Sequence, residues 1–385
     1  MDISAFKKHF TEIYGTEPAV YFAPGRVNII GEHTDYNGGF VLPCAISFGT
    51  YLAIAPNNDR KMRFETTNFV YKVEVPLTEL NKKHDNEWVN YPLGVIDQFI
   101  KHGINFNSGA DFLFSGDIPN GAGLSSSASI EIATAVALND LYDANFDRLE
   151  LVKMSQLAEN FFVGMQCGIM DQFSIGMGKA NSALFLDCRT LDYEHVPLDL
   201  KEHSIVIMNT NKRRELSESK YNERVAECGV ALEDLREGKP MIDLSDITLD
   251  EFEIHGALIK DPIIFHRARH VISENHRVKL SVAALKRGDL ITLGQLMNES
   301  HESLRHDYEV TGKELDTIVN AARKVKGVLG ARMTGAGFGG CAIAIVDKRY
   351  VEALINKVGP AYEDEIGLKP VFYVARVGDG AGKIA

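Results

Sequence analysis

Apolar positions along the chain change period repeatedly, and each change predicts an element. Ala5, Phe6, His9, Phe10 and Ile13 fall at helical spacing, so an opening helix is expected. Residues 19–22 and 40–56 read as strands on either side of a polar loop. Residues 61–75 form a further β-rich stretch, with alternation in KVEVPL. In YPLGVIDQFIKH (91–102) the apolar residues share one helical face, and 111–115 is a short apolar strand. The Ala- and Leu-rich run 130–142 predicts a buried helix, and 149–163 a second amphipathic helix ending near Gly164. Strands are expected at 182–187 and 204–209, with VPLDL (196–200) between them. Charges recur at helical spacing over 215–236, and the acidic, broken stretch 237–253 reads as a connector. Helices follow at 266–287, 290–304 and 313–325. Then VLGARMTGAGFGGCAIAIV pairs a glycine-rich turn with a buried strand. A helix at 350–358 and a strand near 371–376 close the pattern.

This alternation predicts an α+β protein in two halves that divide near residues 190–205, taken as domains 1–200 and 201–385. The last strand is a candidate to pack back onto the first half. A length of 385 residues also favours two domains over one core.

Composition narrows the function classes. With 45% hydrophobic and 24% charged residues the chain is an ordinary globular one. Its formal net charge of -12 argues against nucleic acid and anionic membrane as partners, since both reward concentrated Lys and Arg. Cys44, Cys167, Cys188, Cys228 and Cys341 are scattered, odd in number and without a CxxC pair. They form neither a disulfide framework nor a zinc motif. The N-terminus MDISAFKKHFTEIYG lacks the apolar core of a signal peptide, and a cytoplasmic protein is expected.

Three polar constellations interrupt the pattern. APGRVNIIGEHTDYNGG (23–39) gathers Arg26, Asn28, Glu32, His33, Asp35, Tyr36 and Asn37 in one loop. That is more hydrogen-bonding chemistry than a solvated turn needs, and it suits a ligand covered in hydroxyl groups. PNGAGLSSSAS (119–129) lies between an expected strand and helix, where backbone amides and serine hydroxyls can approach phosphate oxygens. It is neither a Walker A loop nor GxGxxG, and a purely structural turn stays open. TGAGFGGC (334–341) is a second glycine cluster, consistent with backbone brought close to a ligand or with tight packing. Asp171 stands among apolar and small residues in MQCGIMDQFSIGMG. It is a capping residue or a carboxylate beside a cation such as Arg26, able to take a proton from a substrate hydroxyl. Glu159 in LAENFF is an ordinary helix charge or a metal-reaching carboxylate.

Together these motifs resemble the GHMP family of sugar and metabolite kinases, and GRVNIIGEHTDYNGG is similar to the signature of its galactokinase branch. CGIMDQF and FHRARHVISEN are also similar to galactokinases, so the resemblance spans residues 26–340. It implies a two-domain GHMP-kinase fold, with mixed β-sheets flanked by helices and the active site between the domains. The implied activity is transfer of the γ-phosphoryl of ATP, with Mg2+, to the C1 hydroxyl of galactose. Asp171 matches the family's base and Arg26 its charge-stabilising arginine. Glu32, His33, Thr34, Asp35, Gly168 and Tyr221 match sugar-binding positions. Thr66, Gly121, Ala122, Gly123, Leu124, Ser125, Ser126 and Ser127 match nucleotide-binding positions, and Ser127 with Glu159 the magnesium site. Galactose and ATP are the implied partners, and a monomer or weak oligomer is expected. An N-acetylgalactosamine kinase and a non-catalytic galactose sensor are the alternatives, the second disfavoured by the complete GLSSSAS.

Overall fold

The computed structural model describes residues 1–85, 87–118, 123–212 and 217–385. The early strands are β1 (Ala19–Asn28), β2 (Phe40–Val41), β3 (Pro43–Asn57), β4 (Lys61–Thr66), β5 (Lys72–Pro76) and β6 (Gly109–Gly116). β7 (Ser182–Asp187), β8 (Tyr193–Pro197) and β9 (His203–Asn209) follow at mid-chain. β10 (Val328–Thr334), β11 (Cys341–Asp347), β12 (Val371–Ala375) and β13 (Gly382–Lys383) come last.

A six-stranded sheet has the order β13-β1-β3-β6-β4-β5, and only its β4–β6 pair is parallel. A four-stranded antiparallel sheet has the order β10-β11-β9-β12, and β2-β7-β8 form a third. The helices Asn90–Lys101 and Ser126–Leu141 bury Leu93, Phe99, Ile132 and Ala133 with Phe64 and Phe112 of the large sheet. Leu290–His306 and Gly312–Arg323 pack on β10 in the same way. Between the two sheets, Val27, Ile29 and Ile30 share a core with Ile205, Ile343 and Val278. That shared core fixes the loop after β1 against the four-stranded sheet. The strand expected at 371–376 is β12, which stays in the four-stranded sheet beside β9. The short β13 beyond it returns to the large sheet: Tyr21 pairs with Lys383, and the Val20 amide donates to the Ala385 carbonyl at 2.7 Å. No helix among the described residues is long and apolar enough to cross a membrane.

Several boundaries differ from the sequence pattern for identifiable reasons. β1 runs on to Asn28 through a register shift between Pro24 and Arg26, so Arg26 and Asn28 are strand residues. The expected helix 149–163 is an α-helix, Arg148–Leu157, followed by a π-helical segment, Ala158–Val163. Such segments often mark functional sites, and this one carries Glu159. Met170–Met177 is a helix that glycine-flanked MQCGIMDQFSIGMG hides. The last helix continues through Pro360 to Ile366, because buried Leu354, Val358 and Tyr362 anchor it on both sides of the proline. The acidic connector contains the helix Leu249–His255, started by a capping box between Thr248 and Glu251.

Candidate active site

The β1 irregularity brings the strand against Leu124, just before the helix Ser126–Leu141. A Cβ on Gly25 would lie 2.7 Å from the Leu124 carbonyl oxygen, an approach that only glycine permits. The Arg26 amide then donates to that carbonyl at 3.2 Å. The Arg26 side chain is 5% exposed. Its Nε and Nη2 each lie 2.8 Å from Asp171 Oδ1, and Nη1 donates to the Gly123 carbonyl at 2.7 Å. Ser125, left-handed at φ 60 just before the helix Ser126–Leu141, donates to Asp171 Oδ2 at 2.5 Å. Asp171 itself sits in the first turn of Met170–Met177, where free amides favour an anion. Both of its oxygens are therefore held, one by a cation and one by a hydroxyl.

The opening loop supplies the second wall. Asp35 packs against Gly168, where a Cβ would come within 2.0 Å of Asp35 Oδ2. Burial, reinforced by the charge of Asp171, pushes the Asp35 carboxyl up to about 7. His33 is bonded through Nδ1 to the Tyr36 hydroxyl (2.8 Å) and through Nε2 to the Ala336 carbonyl (3.2 Å). Burial pushes its imidazole down to about 3, so it is neutral at physiological pH. Tyr221 packs its ring 5.7 Å from that of His33 and 5.2 Å from that of Tyr36. Glu32 is buried, and its carboxyl is raised by burial against the opposing pull of Arg332. Asn28, Arg332, Thr334 and the Gly335 amide all bond it, so most of its acceptor capacity is used within the protein. Thr34 is also buried, and its hydroxyl donates to the Gly31 and Phe40 carbonyls inside the loop.

Gly121 and Ala122 lie outside the described residues. Gly123, Leu124, Ser125, Ser126 and Ser127 line one side of the cleft. Thr66 ends β4 beside Asn68, whose side-chain amide donates to the Gly116 carbonyl, and it is not among the cleft-lining residues. Glu159 lies on the cleft's inner wall, where the nearby Ser127 hydroxyl favours its ionised form and Gln172 Nε2 donates to it at 2.6 Å. Burial and the charge of Asp171 raise its carboxyl. Among the described residues no cluster of three or more His, Cys, Asp or Glu could hold a metal ion by itself. A carboxylate facing a hydroxyl still fits magnesium, which takes one or two hard oxygen donors from protein and the rest from phosphate and water. A cation there would also offset the acidic field between Glu159 and Asp171.

Arg26, Glu32, His33, Asp35, Gly168, Asp171 and Tyr221 thus meet the serines and Glu159 around one cleft of about 340 Å³. Reasoning from the motifs overlooked three buried residues behind it: Glu131, Gln172 and Arg332. Glu131 had a signal, being the only charge within the apolar run IEIATAVAL. Gln172 and Arg332 had none beyond adjacency to motif residues.

Comparison with known proteins bears on this geometry. Residues 8–56 match the galactokinase galactose-binding signature, 90–179 the GHMP kinases N-terminal domain and 281–364 the GHMP kinases C-terminal domain. The chain is 51% identical over 381 residues to a galactokinase of Clostridium acetobutylicum, covering 98% of this chain and 96% of that protein. A galactokinase of Enterococcus faecalis is 51% identical over 378 residues, covering 97% and 98%. The crystal structure of Lactococcus lactis galactokinase complexed with galactose superposes with a TM-score of 0.96 at 46% identity, covering 100% of each chain. A mevalonate kinase shares the fold, with a TM-score of 0.68 at 20% identity over 94% of this chain.

Proposed function

Because the chain belongs to the galactokinase family of ATP-dependent sugar kinases, we propose that its cleft transfers the γ-phosphoryl of ATP to the C1 hydroxyl of galactose, with Asp171 as the base. The observation that carries this reading is the Arg26–Asp171–Ser125 arrangement, with Asp171 Oδ1 2.8 Å from two guanidinium nitrogens and Oδ2 2.5 Å from the serine. A carboxylate held in one orientation can accept the proton of a sugar hydroxyl as that oxygen turns toward the γ-phosphorus. Arg26 offsets negative charge developing on the phosphoryl group. Phosphoryl transfer asks the protein for positioning and charge stabilisation rather than covalent chemistry, and both are supplied by these residues.

Asp35, Glu32, His33 and Tyr221 bind the sugar in this reading, with Thr34 holding the loop and Gly168 leaving room for Asp35. Fixed acceptors such as the Asp35 carboxyl read hydroxyl orientation, since a mispaired polar group in a closed site is penalised. Residues 121–127 hold the nucleotide phosphates in this reading, and Thr66, which does not line the cleft, is assigned to the nucleotide from the motif match alone. Ser127 and Glu159 would hold magnesium, whose charge would offset that of the transferred phosphoryl group. Domains 1–200 and 201–385 contribute the loops and the Thr334–Gly340 floor respectively. ATP is a cytoplasmic metabolite, so the proposal places the enzyme there.

The test is phosphorus NMR of the protein with ATP, magnesium and galactose, and with N-acetylgalactosamine in parallel. A sugar 1-phosphate resonance growing with galactose alone, together with ADP, is the expected result. Product from the amino sugar alone reassigns the substrate. Binding of sugar and ATP without product removes Asp171 from its role.

A further inference from the structure

We propose that Glu131 is a positioning residue for divalent-cation binding, acting through Gln172 to hold the Glu159 carboxylate toward Ser127. This rests on the reading of Ser127 and Glu159 as the magnesium-holding pair.

Glu131 lies four residues after Ser127 in the helix Ser126–Leu141, so the two side chains leave the same helical face. It is fully buried. Gln172, also fully buried, comes from the other helix, next to Asp171. Its side-chain amide nitrogen bridges the two acids, 3.0 Å from Glu131 Oε2 and 2.6 Å from Glu159 Oε2. An amide nitrogen has two N–H groups, and both are spent on carboxyl oxygens.

Two further atoms count against a role in packing alone. Glu131 Oε1 and Gln172 Oε1 have no hydrogen-bond partner among the described residues. The neighbouring charges that act most strongly on Glu131 are the acids Glu159 and Asp171. A buried acid facing other acids is costly, and an apolar side chain of the same volume would stabilise the helix better. What Glu131 supplies is an acceptor that settles which way the Gln172 amide faces. Turned over, that amide would present its carbonyl oxygen to Glu159 and push the carboxylate away from Ser127. With Glu131 in place, the N–H side faces Glu159 and leaves its other oxygen for the cleft. Groups that orient a metal ligand in this way commonly change metal affinity when removed.

The experiment measures Mn2+ binding by electron paramagnetic resonance in the presence of ADP, with galactose affinity by calorimetry as a separate readout. Glu131→Met is expected to weaken Mn2+ binding by roughly tenfold or more while leaving galactose affinity unchanged. Glu131→Gln keeps an oxygen that accepts from Gln172 and should bind Mn2+ like the unaltered protein. Wild-type Mn2+ affinity in Glu131→Met overturns the proposal, and so does a Glu131→Gln protein as weak as Glu131→Met. Should Glu131→Met fail to fold, Gln172→Met removes the bridge from the other helix and carries the same expectation, with unchanged Mn2+ binding again overturning it. Glu159→Gln is the control. If it binds Mn2+ normally, the assignment of Glu159 to the metal falls and takes this inference with it. If Glu159→Gln alone is impaired, only the role of Glu131 is lost.

Discussion

Arg332 on β10 and Glu32 in the opening loop form an ion pair, Nη1 to Oε2 at 2.9 Å, between two buried side chains 300 residues apart. The same guanidinium nitrogen reaches the Asn28 and Ile29 carbonyls, and the Gly335 amide donates to Glu32 Oε1 at 2.6 Å. His270 adds a bond to the Glu32 carbonyl at 3.1 Å. The loop after β1 is thus shaped by residues some 300 positions further along the chain.

Removing one side of such a pair leaves a buried charge without its partner. Arg332→Met is expected to lower unfolding free energy by about 3–5 kcal/mol, measured by urea titration, and to weaken galactose binding with it. Glu32→Gln should cost less, since its amide oxygen still accepts from Gly335 and Arg332 keeps a second carboxylate, Glu274 Oε1, 3.9 Å from Nη2.

Asp171→Asn preserves volume and an acceptor for Arg26 but cannot take a proton. Turnover should fall by about 10²–10⁴-fold, while thermal unfolding and galactose affinity stay near wild type. Product formation followed by phosphorus NMR gives the rate. Activity close to wild type would remove Asp171 as the base.

The raised Asp35 carboxyl has a pH signature. Its ordinary value is 3.8 and the folded value about 7, so the folded protein holds this proton more tightly than the unfolded chain. Its effect is therefore a loss of stability as pH rises from about 4 to about 7, with no further change above that. Comparison with Asp35→Asn across that range isolates the slope, which should be present only in the unaltered protein. Galactose affinity should strengthen as pH passes about 7 if the carboxylate accepts from the sugar, and the Asn variant should show a flat profile.

Gly168→Ala places a methyl where the Asp35 carboxylate lies, a 2.0 Å approach to Oδ2. Either the carboxylate or the 165–168 segment must shift, and such overpacking typically costs about 1–3 kcal/mol. Calorimetry should show galactose affinity lowered by roughly tenfold or more, 1.4 kcal/mol being a factor of ten. ADP affinity should be unaffected, and equal loss for both ligands would point to general unfolding instead.

Much of this protein is readable along the chain. Hydrophobic period alone locates the first helix, β7, β9, β11 and the helices Pro262–Lys286, Leu290–His306 and Gly312–Arg323 to within a few residues. The α+β GHMP-kinase architecture expected from the motifs is borne out by the structure and its likeness to galactokinase. Arg26, Asp35 and Asp171 stand out because a charged group in an apolar or glycine-bracketed setting demands a partner. Thr34 shows where that reasoning ends: it belongs to the same motif, yet its hydroxyl is used up inside the loop. Motif membership names a residue but does not say where its side chain points.

What the sequence determined by itself is therefore the kind of chemistry and the elements that carry it, because propensity, period and turn residues act over a few positions. Only the tertiary structure decided which buried polar groups share a partner. Glu131 meets Gln172 across 41 positions, and Glu32 meets Arg332 across 300. The cost of burying a charge is offset by whatever folding brings beside it, and no local pattern records that neighbour.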